Sequence, residues 1–260
     1  MSSNKESFGR TIGFVLAVCI VCAALVSIAA SGLKDKQVEN KLLDQQTKIL
    51  EASGLLGMTD GTSFSIKETY GKFVEAKMID LDSGEFIDGD PLLFDERRNS
   101  RDATKSEKPE NDIAGINRRS HDAVIYIVRN GAGVVETVVF PIVGSGLWDL
   151  MYGFVGMEAD LNTVKNLIYT ADFKETPGLG AEVLNPKWKA LWPGKKIYDE
   201  SGALKIKLVK GGAKAGDIHG VDALSGATLT SNGVTRTLHF WFGKEGYLPF
   251  ITKYREGGLI

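Results

Sequence analysis

From Thr11 to Ala30 the chain carries no charged side chain, and Arg10 and Lys34 bracket the run. A helix of that length rises about 30 Å, the thickness of a hydrocarbon core. The pattern predicts one membrane-spanning helix at 11–31, behind a short tail at 1–10. A cleaved signal peptide is the competing reading, because small residues close the run at Ser27-Ile28-Ala29 and Ala30-Ser31-Gly32. Signal-peptide apolar cores usually run about 7–15 residues. This run is longer, which favours an uncleaved anchor. Beyond it, Val38, Leu42, Leu43, Ile49 and Leu50 recur among charges near helical spacing. The anchor helix is therefore expected to continue outward until Gly54 ends it. A second amphipathic helix is expected around Ile66 to Glu75. A strand at Lys77 to Leu81 then leads into the turn Asp82-Ser83-Gly84.

The period changes after residue 120. Ala123–Val128 and Val134–Val143 are β-branched runs, and Asn130-Gly131-Ala132-Gly133 between them is a hairpin signal. Tyr152–Met157, Thr163–Tyr169, Ile197–Asp199 and Leu204–Val209 read as further strands. A short helix is expected near Glu182–Leu191, where Pro186 interrupts the pattern. The last helix is placed at Ser231–Gly243, with Val234, Leu238 and Trp241 on one face. The fold class is α+β: a single N-terminal transmembrane helix, then a mostly antiparallel sheet with flanking helices. The expected division is a helical and α+β part at 32–120 and a main domain at 121–260. Between Asp95 and Glu110, ten of sixteen residues are charged, five of each sign. This stretch reads as a solvated, mobile loop.

Composition narrows the function classes. The 260 residues carry a formal net charge of −2, whereas a general nucleic-acid binder carries a basic surplus. Three scattered His leave little for a His-based metal site, and neither a metal nor a catalytic residue is expected. Cys19 and Cys22, the two cysteines, lie inside the apolar span. One helical turn apart, they read as small polarizable packing residues in preference to a redox pair. Lys5, Glu6 and Arg10 before the span and Lys34, Lys36 and Lys41 after it leave the positive-inside count undecided. Architecture alone favours an anchor whose soluble part lies outside the cytoplasm.

Glycine is over-represented, at 30 residues against a norm of about 7%. It concentrates with small residues in three segments: Gly144-Ser145-Gly146-Leu147-Trp148-Asp149, Glu175-Thr176-Pro177-Gly178-Leu179-Gly180, and Asp222-Ala223-Leu224-Ser225-Gly226-Ala227-Thr228. None has the spacing of a Rossmann or Walker A loop. The third precedes the last helix. Small residues there let backbone approach an anion, a helix N-terminus adds free N–H groups, and Ser225, Thr228, Thr230 and Ser231 add hydroxyls. An ordinary capped helix entry accounts for the same residues. A hydrolase built on Ser145 or Ser225 lacks a Gly-x-Ser-x-Gly elbow.

The third segment resembles the Asp-x-x-Ser/Thr-Gly-Ala-Thr pattern of FMN-binding domains that carry their flavin covalently. The second segment and Gly146-Leu147-Trp148-Asp149 look like that family's other signatures. With the anchor, the resemblance spans essentially the whole chain. It points to the C-subunit family of the Na⁺-translocating NADH:quinone oxidoreductases, and next to the G subunits of Rnf-type complexes.

The resemblance implies FMN joined by a phosphoester to Thr228, with Ser225, Gly226 and Ala227 keeping the attachment turn small. Thr176, Gly178 and Leu179 resemble the loop that meets the isoalloxazine ring. Asp222 matches an acidic position recognised by a separate flavin transferase; a turn Asp is the plain alternative. Trp148 is a candidate ring neighbour or a core Trp. Lys210 is a candidate counter-charge or a solvated Lys. The implied role is a one-electron carrier in a six-subunit bacterial inner-membrane complex, inactive alone, with its soluble domain in the periplasm. A membrane-anchored module that binds a phosphorylated ligand reversibly is the non-redox alternative.

Overall fold

The computed structural model describes residues 8–255. The first seven residues of the expected tail, with Lys5 and Glu6, lie outside them. Helix α1 (Phe8–Ser53) already includes Phe8–Arg10 and runs without a break through the apolar span. It is long and apolar enough to cross a membrane, and its side chains from Ile12 to Ile28 include many large, exposed apolar groups. Gly54, in the left-handed region at φ +78°, follows it as expected. Residues to Gln45 form one compact unit and Gln46 onward a second.

In the second unit, Thr62 caps α2 (Ser63–Phe73) through its side chain, and β1 (Val74–Asp80) follows directly. The short α3 (Glu96–Asn99), β2 (Ser106–Glu107) and β3 (Arg119–Ser120) come next. Then β4 (Asp122–Arg129), β5 (Val135–Ser145), β6 (Leu150–Glu158) and β7 (Val164–Tyr169) complete an antiparallel five-stranded sheet ordered β1-β4-β5-β6-β7. Its second strand reads as a continuous apolar run because both faces are covered. Ile125 and Ile127 enter the main core with Phe140, Val155, Val234 and Leu238. Val124, Tyr126 and Val128 pack on the opposite face with Ile49 and Ala52 from the end of α1. Alternation of side chains across a strand makes this division.

β1, from the part before residue 120, pairs with β4 along its whole length, so both parts share one sheet. Most of the charged stretch at 95–110 is exposed, as expected, but three of its residues are tied into ion pairs with the rest of the fold. Arg119 is buried, pairs with Asp82 and with Glu107 at 2.5 Å, and donates to the Glu245 carbonyl at 2.7 Å. Arg97 pairs with Asp172 and lies 3.8 Å from the Tyr152 ring centre. Burial pushes the Glu96 carboxyl up to about 7, against a backbone hydrogen bond from Ser120 and the charge of Arg119. The stretch pairs outward, Arg97 with Asp172, Glu107 with Arg119 and Glu110 with Lys244.

The 180–191 region forms a 3₁₀ turn at Gly180–Leu184 and then α4 (Pro186–Lys189). Pro186 opens α4 behind the Asn185 cap, as proline suits a first helical position. Ile197–Asp199 makes only isolated bridges, and the second expected strand shrinks to β8 (Lys207–Val209). This strand pairs in parallel with β9 (Gly220–Asp222). Helix α5 (Thr228–Trp241) begins three residues before the expected Ser231, so Thr228 is its first residue. Helix α6 (Leu248–Arg255) was not anticipated.

α5 lies against β5 at glycine distance. A Cβ on Gly233 would enter the Ser145 carbonyl, and one on Gly144 would enter the Thr237 side chain. Trp241 Nε1 donates to the Val143 carbonyl at 2.7 Å. Gly→Ala in an open helix gains about 1 kcal/mol of helix propensity. At Gly233 the sign reverses, because overpacking costs about 1–3 kcal/mol. Gly233→Ala is expected to lower the Tm of the detergent-purified protein in calorimetry; an unchanged or higher Tm contradicts this packing.

Candidate functional site

A buried carboxylate in the second segment joins the first segment to the first turn of α5. Glu175 is 5% exposed. Its Oε1 accepts from the backbone N–H of Leu147 at 2.9 Å and of Trp148 at 2.8 Å. Its Oε2 accepts from the Thr230 hydroxyl at 2.7 Å. Gly146 and Gly180 leave room for this group, since a Cβ on either would collide with the carboxylate. Glu175 does not stand out in the sequence, where it looks like the first residue of a turn. Its signal is a lone carboxylate heading a run of small and apolar residues.

The turn before α5 is built by local bonds. Ala227 N donates to the Leu224 carbonyl at 3.2 Å. Ser231 Oγ accepts from Leu224 N at 3.0 Å and donates to the Ala227 carbonyl at 2.9 Å. Thr230 and Ser231 are buried and spend their hydroxyls inside the fold, not toward a ligand. Thr228 is exposed, as are Ser225 and Gly226. Gly226 sits at φ +71°, and a Cβ there would come within 2.8 Å of Leu179 Cδ2, so the second segment lies over the third. Thr176 closes that second segment, its carbonyl accepting from Leu179 N and Ala181 N, both at 3.1 Å. Gly178, at φ +74°, faces open space.

Asp222 and Lys210 occupy one flank. Asp222 Oδ1 accepts from Ala213 N at 2.8 Å and its carbonyl from Trp188 Nε1 at 2.9 Å. The 210–213 loop is thereby held to the end of β9. Lys210, exposed, follows β8 at the start of that loop.

Two observations test the fit to a phosphate-bearing flavin. Ala227 offers no side-chain acceptor to the first-turn amides of α5, and that turn contains no acidic residue. An anion at exposed Thr228 would meet those N–H groups and the positive end of the helix dipole. Around this point large apolar side chains stand out of the core: Trp148 is 69% exposed, Leu229 56%, Leu147 46% and Leu179 40%. Trp148 is therefore no core residue. An uncapped helix start beside an exposed apolar rim matches a molecule with an anionic tail and a flat ring.

Comparison with known proteins gives the same region. Residues 146–243 match the family model of the FMN-binding domain, a stretch that encloses α5 and most of the three segments. The chain is 47% identical to the C subunit of the Na(+)-translocating NADH-quinone reductase of Vibrio anguillarum, across the whole of both. It is 45% identical to that of Yersinia pestis, over 98% of this chain and 96% of that protein. Its fold matches the crystal structure of Shewanella oneidensis NqrC at a TM-score of 0.79 and 38% identity, covering 85% of this chain and 100% of the other.

The left-handed backbone at Gly226 generates a stability test. Gly226→Ala is expected to cost about 1–2 kcal/mol from the disfavoured φ, with added pressure on Leu179. Ser225→Ala, one residue away and exposed, is expected to stay within about 0.5 kcal/mol of the parent. Thermal melting of the two variants checks the contrast, and equal melting points would contradict the turn.

Proposed function

Because the chain belongs to the C-subunit (NqrC) family of the Na(+)-translocating NADH-quinone reductases, we propose that it carries FMN on Thr228 through a phosphoester. It serves as an electron-carrier subunit of that membrane complex, working with the other subunits and not as an enzyme alone. The observation that carries the attachment site is the uncapped start of α5 at an exposed Thr228.

The residues divide the task. The amides of the first turn of α5 hold the phosphate, and Ser225, Gly226 and Ala227 keep the approach free of bulk. Trp148, Leu147 and Leu179 shield part of the ring, with Thr176 and Gly178 shaping the loop beneath it. Asp222 fixes the 210–213 loop, which brings the Lys210 charge to the phosphate side. When bound, FMN supplies the redox chemistry, accepting and passing on electrons. A threonine hydroxyl is a weak nucleophile at its ordinary pKa, so a separate flavin transferase makes the ester. Sodium translocation belongs to the whole complex, which we take to have six subunits.

Expressed with a flavin transferase, the chain is expected to give a flavin-fluorescent band on a denaturing gel. Thr228→Val is expected to abolish the fluorescence while protein abundance stays the same. A dark parent band under these conditions, or a fluorescent Thr228→Val, refutes the covalent site.

The soluble unit lies in the periplasm on this reading, with α1 as the single anchor. Protease added to intact spheroplasts is expected to degrade the soluble part. Protection that persists until the membrane is broken reverses the orientation.

A further inference from the structure

Glu175 has no assigned part in flavin binding, yet it joins the first segment to the first turn of α5. An ionised carboxylate only accepts hydrogen bonds, and three donors from two separate segments are aimed at it. Its partners are all neutral: two backbone amides and one hydroxyl. The space it occupies exists because residues 146 and 180 are glycines. A carboxylate is thus built into the floor of the site with no cation beside it in this bonding set.

We propose that Glu175 is a positioning residue that sets the Leu147–Trp148 backbone against the first turn of α5 and holds a fixed negative charge beneath the flavin, lowering its midpoint potential. The inference rests on the reading that Thr228 carries the flavin. Thr230, the hydroxyl bonded to Glu175, is two residues from Thr228. That separation is about 3 Å of helix rise. The tether fixes the phosphate end near this charge, and the Leu147–Trp148 loop bonded to Glu175 carries the exposed side chains assigned above to the ring. The charge is buried, so solvent screens it less than a surface carboxylate. Reduction adds negative charge to the ring, and a nearby fixed anion opposes it. The two functions are separable by substitution. Glutamine keeps the length and an acceptor oxygen for the two amides but removes the charge. Removing the Thr230 hydroxyl keeps the charge and takes away one of the three groups that offset it.

The test uses the full chain, co-expressed with a flavin transferase and purified in detergent as the parent, Glu175→Gln and Thr230→Val. In-gel fluorescence first establishes loading, and spectroelectrochemical titration then gives each midpoint potential. Glu175→Gln is expected to remain fluorescent and to shift upward in potential. Thr230→Val is expected to shift downward. Opposite signs separate an electrostatic role from simple loosening of the site, which would move both variants the same way. A loaded Glu175→Gln with the parent's potential overturns the proposal. If Glu175→Gln does not fold, a loaded Thr230→Val at or above the parent's potential overturns it instead. A dark parent band speaks against attachment at Thr228, and so marks failure of the underlying reading, not of the role given to Glu175.

Discussion

The close approach of α5 to β5 sets where everything else in the soluble unit can lie. A helix usually packs against its neighbour at side-chain distance. Here Gly233 meets the Ser145 carbonyl and Gly144 meets Thr237, so the helix rests nearly on the strand's backbone. The end of β5 is the beginning of the Gly146–Asp149 loop, and the contact lies little more than a turn from the start of α5. Thr230 and the 147–148 amides, which share the Glu175 carboxylate, are therefore brought together by backbone packing. A bulkier residue at either glycine would part the loop from the helix start, and the carboxylate of Glu175 could no longer reach both.

That geometry explains how polar groups are distributed around the helix entry. Four hydroxyl residues, Ser225, Thr228, Thr230 and Ser231, crowd the segment, but they do different work. Ser231 closes the turn and Thr230 binds Glu175, both inside the fold. Ser225 and Thr228 remain outside. Had a serine or threonine occupied position 227, its side chain would have been suited to capping the first-turn amides. Alanine leaves them for an external anion. The absence of a cap is consistent with a site meant to be completed from outside.

The sheet and the small-residue turn before α5 were largely legible in the sequence, for physical reasons that also mark the limits. Strands β4 and β5 stand out as β-branched runs because both faces of the sheet are buried, and Gly54 marks the helix end through its left-handed φ. Composition at 95–110 counts charges but cannot show their partners, which lie elsewhere along the chain at Asp172, Arg119 and Lys244. Pro186 looks like an interruption when one helix is drawn from Glu182; Asn185-Pro186 instead marks a cap and first helical residue. The start of α5 is expected late since its first turn lacks the usual cap, the same feature that qualifies it as a ligand site. Glu175 escapes notice because its importance lies in partners far along the chain, at 147, 148 and 230.

The openness of the site bears on why a covalent tether is useful. Pockets that retain a small ligand by contact alone generally bury most of its surface. The rim residues here stand well out of the core, Trp148 at 69% and Leu229 at 56% exposure. Such a surface can orient a ring but offers limited area to hold it. The proposed ester at Thr228 would remove the need for affinity, because a tethered group cannot diffuse away. Exposure would then be an advantage: electrons could pass between the ring and a partner without the protein opening. With retention assigned to one bond, the remaining contacts would be free to set orientation and electrostatics, the two properties proposed for Glu175.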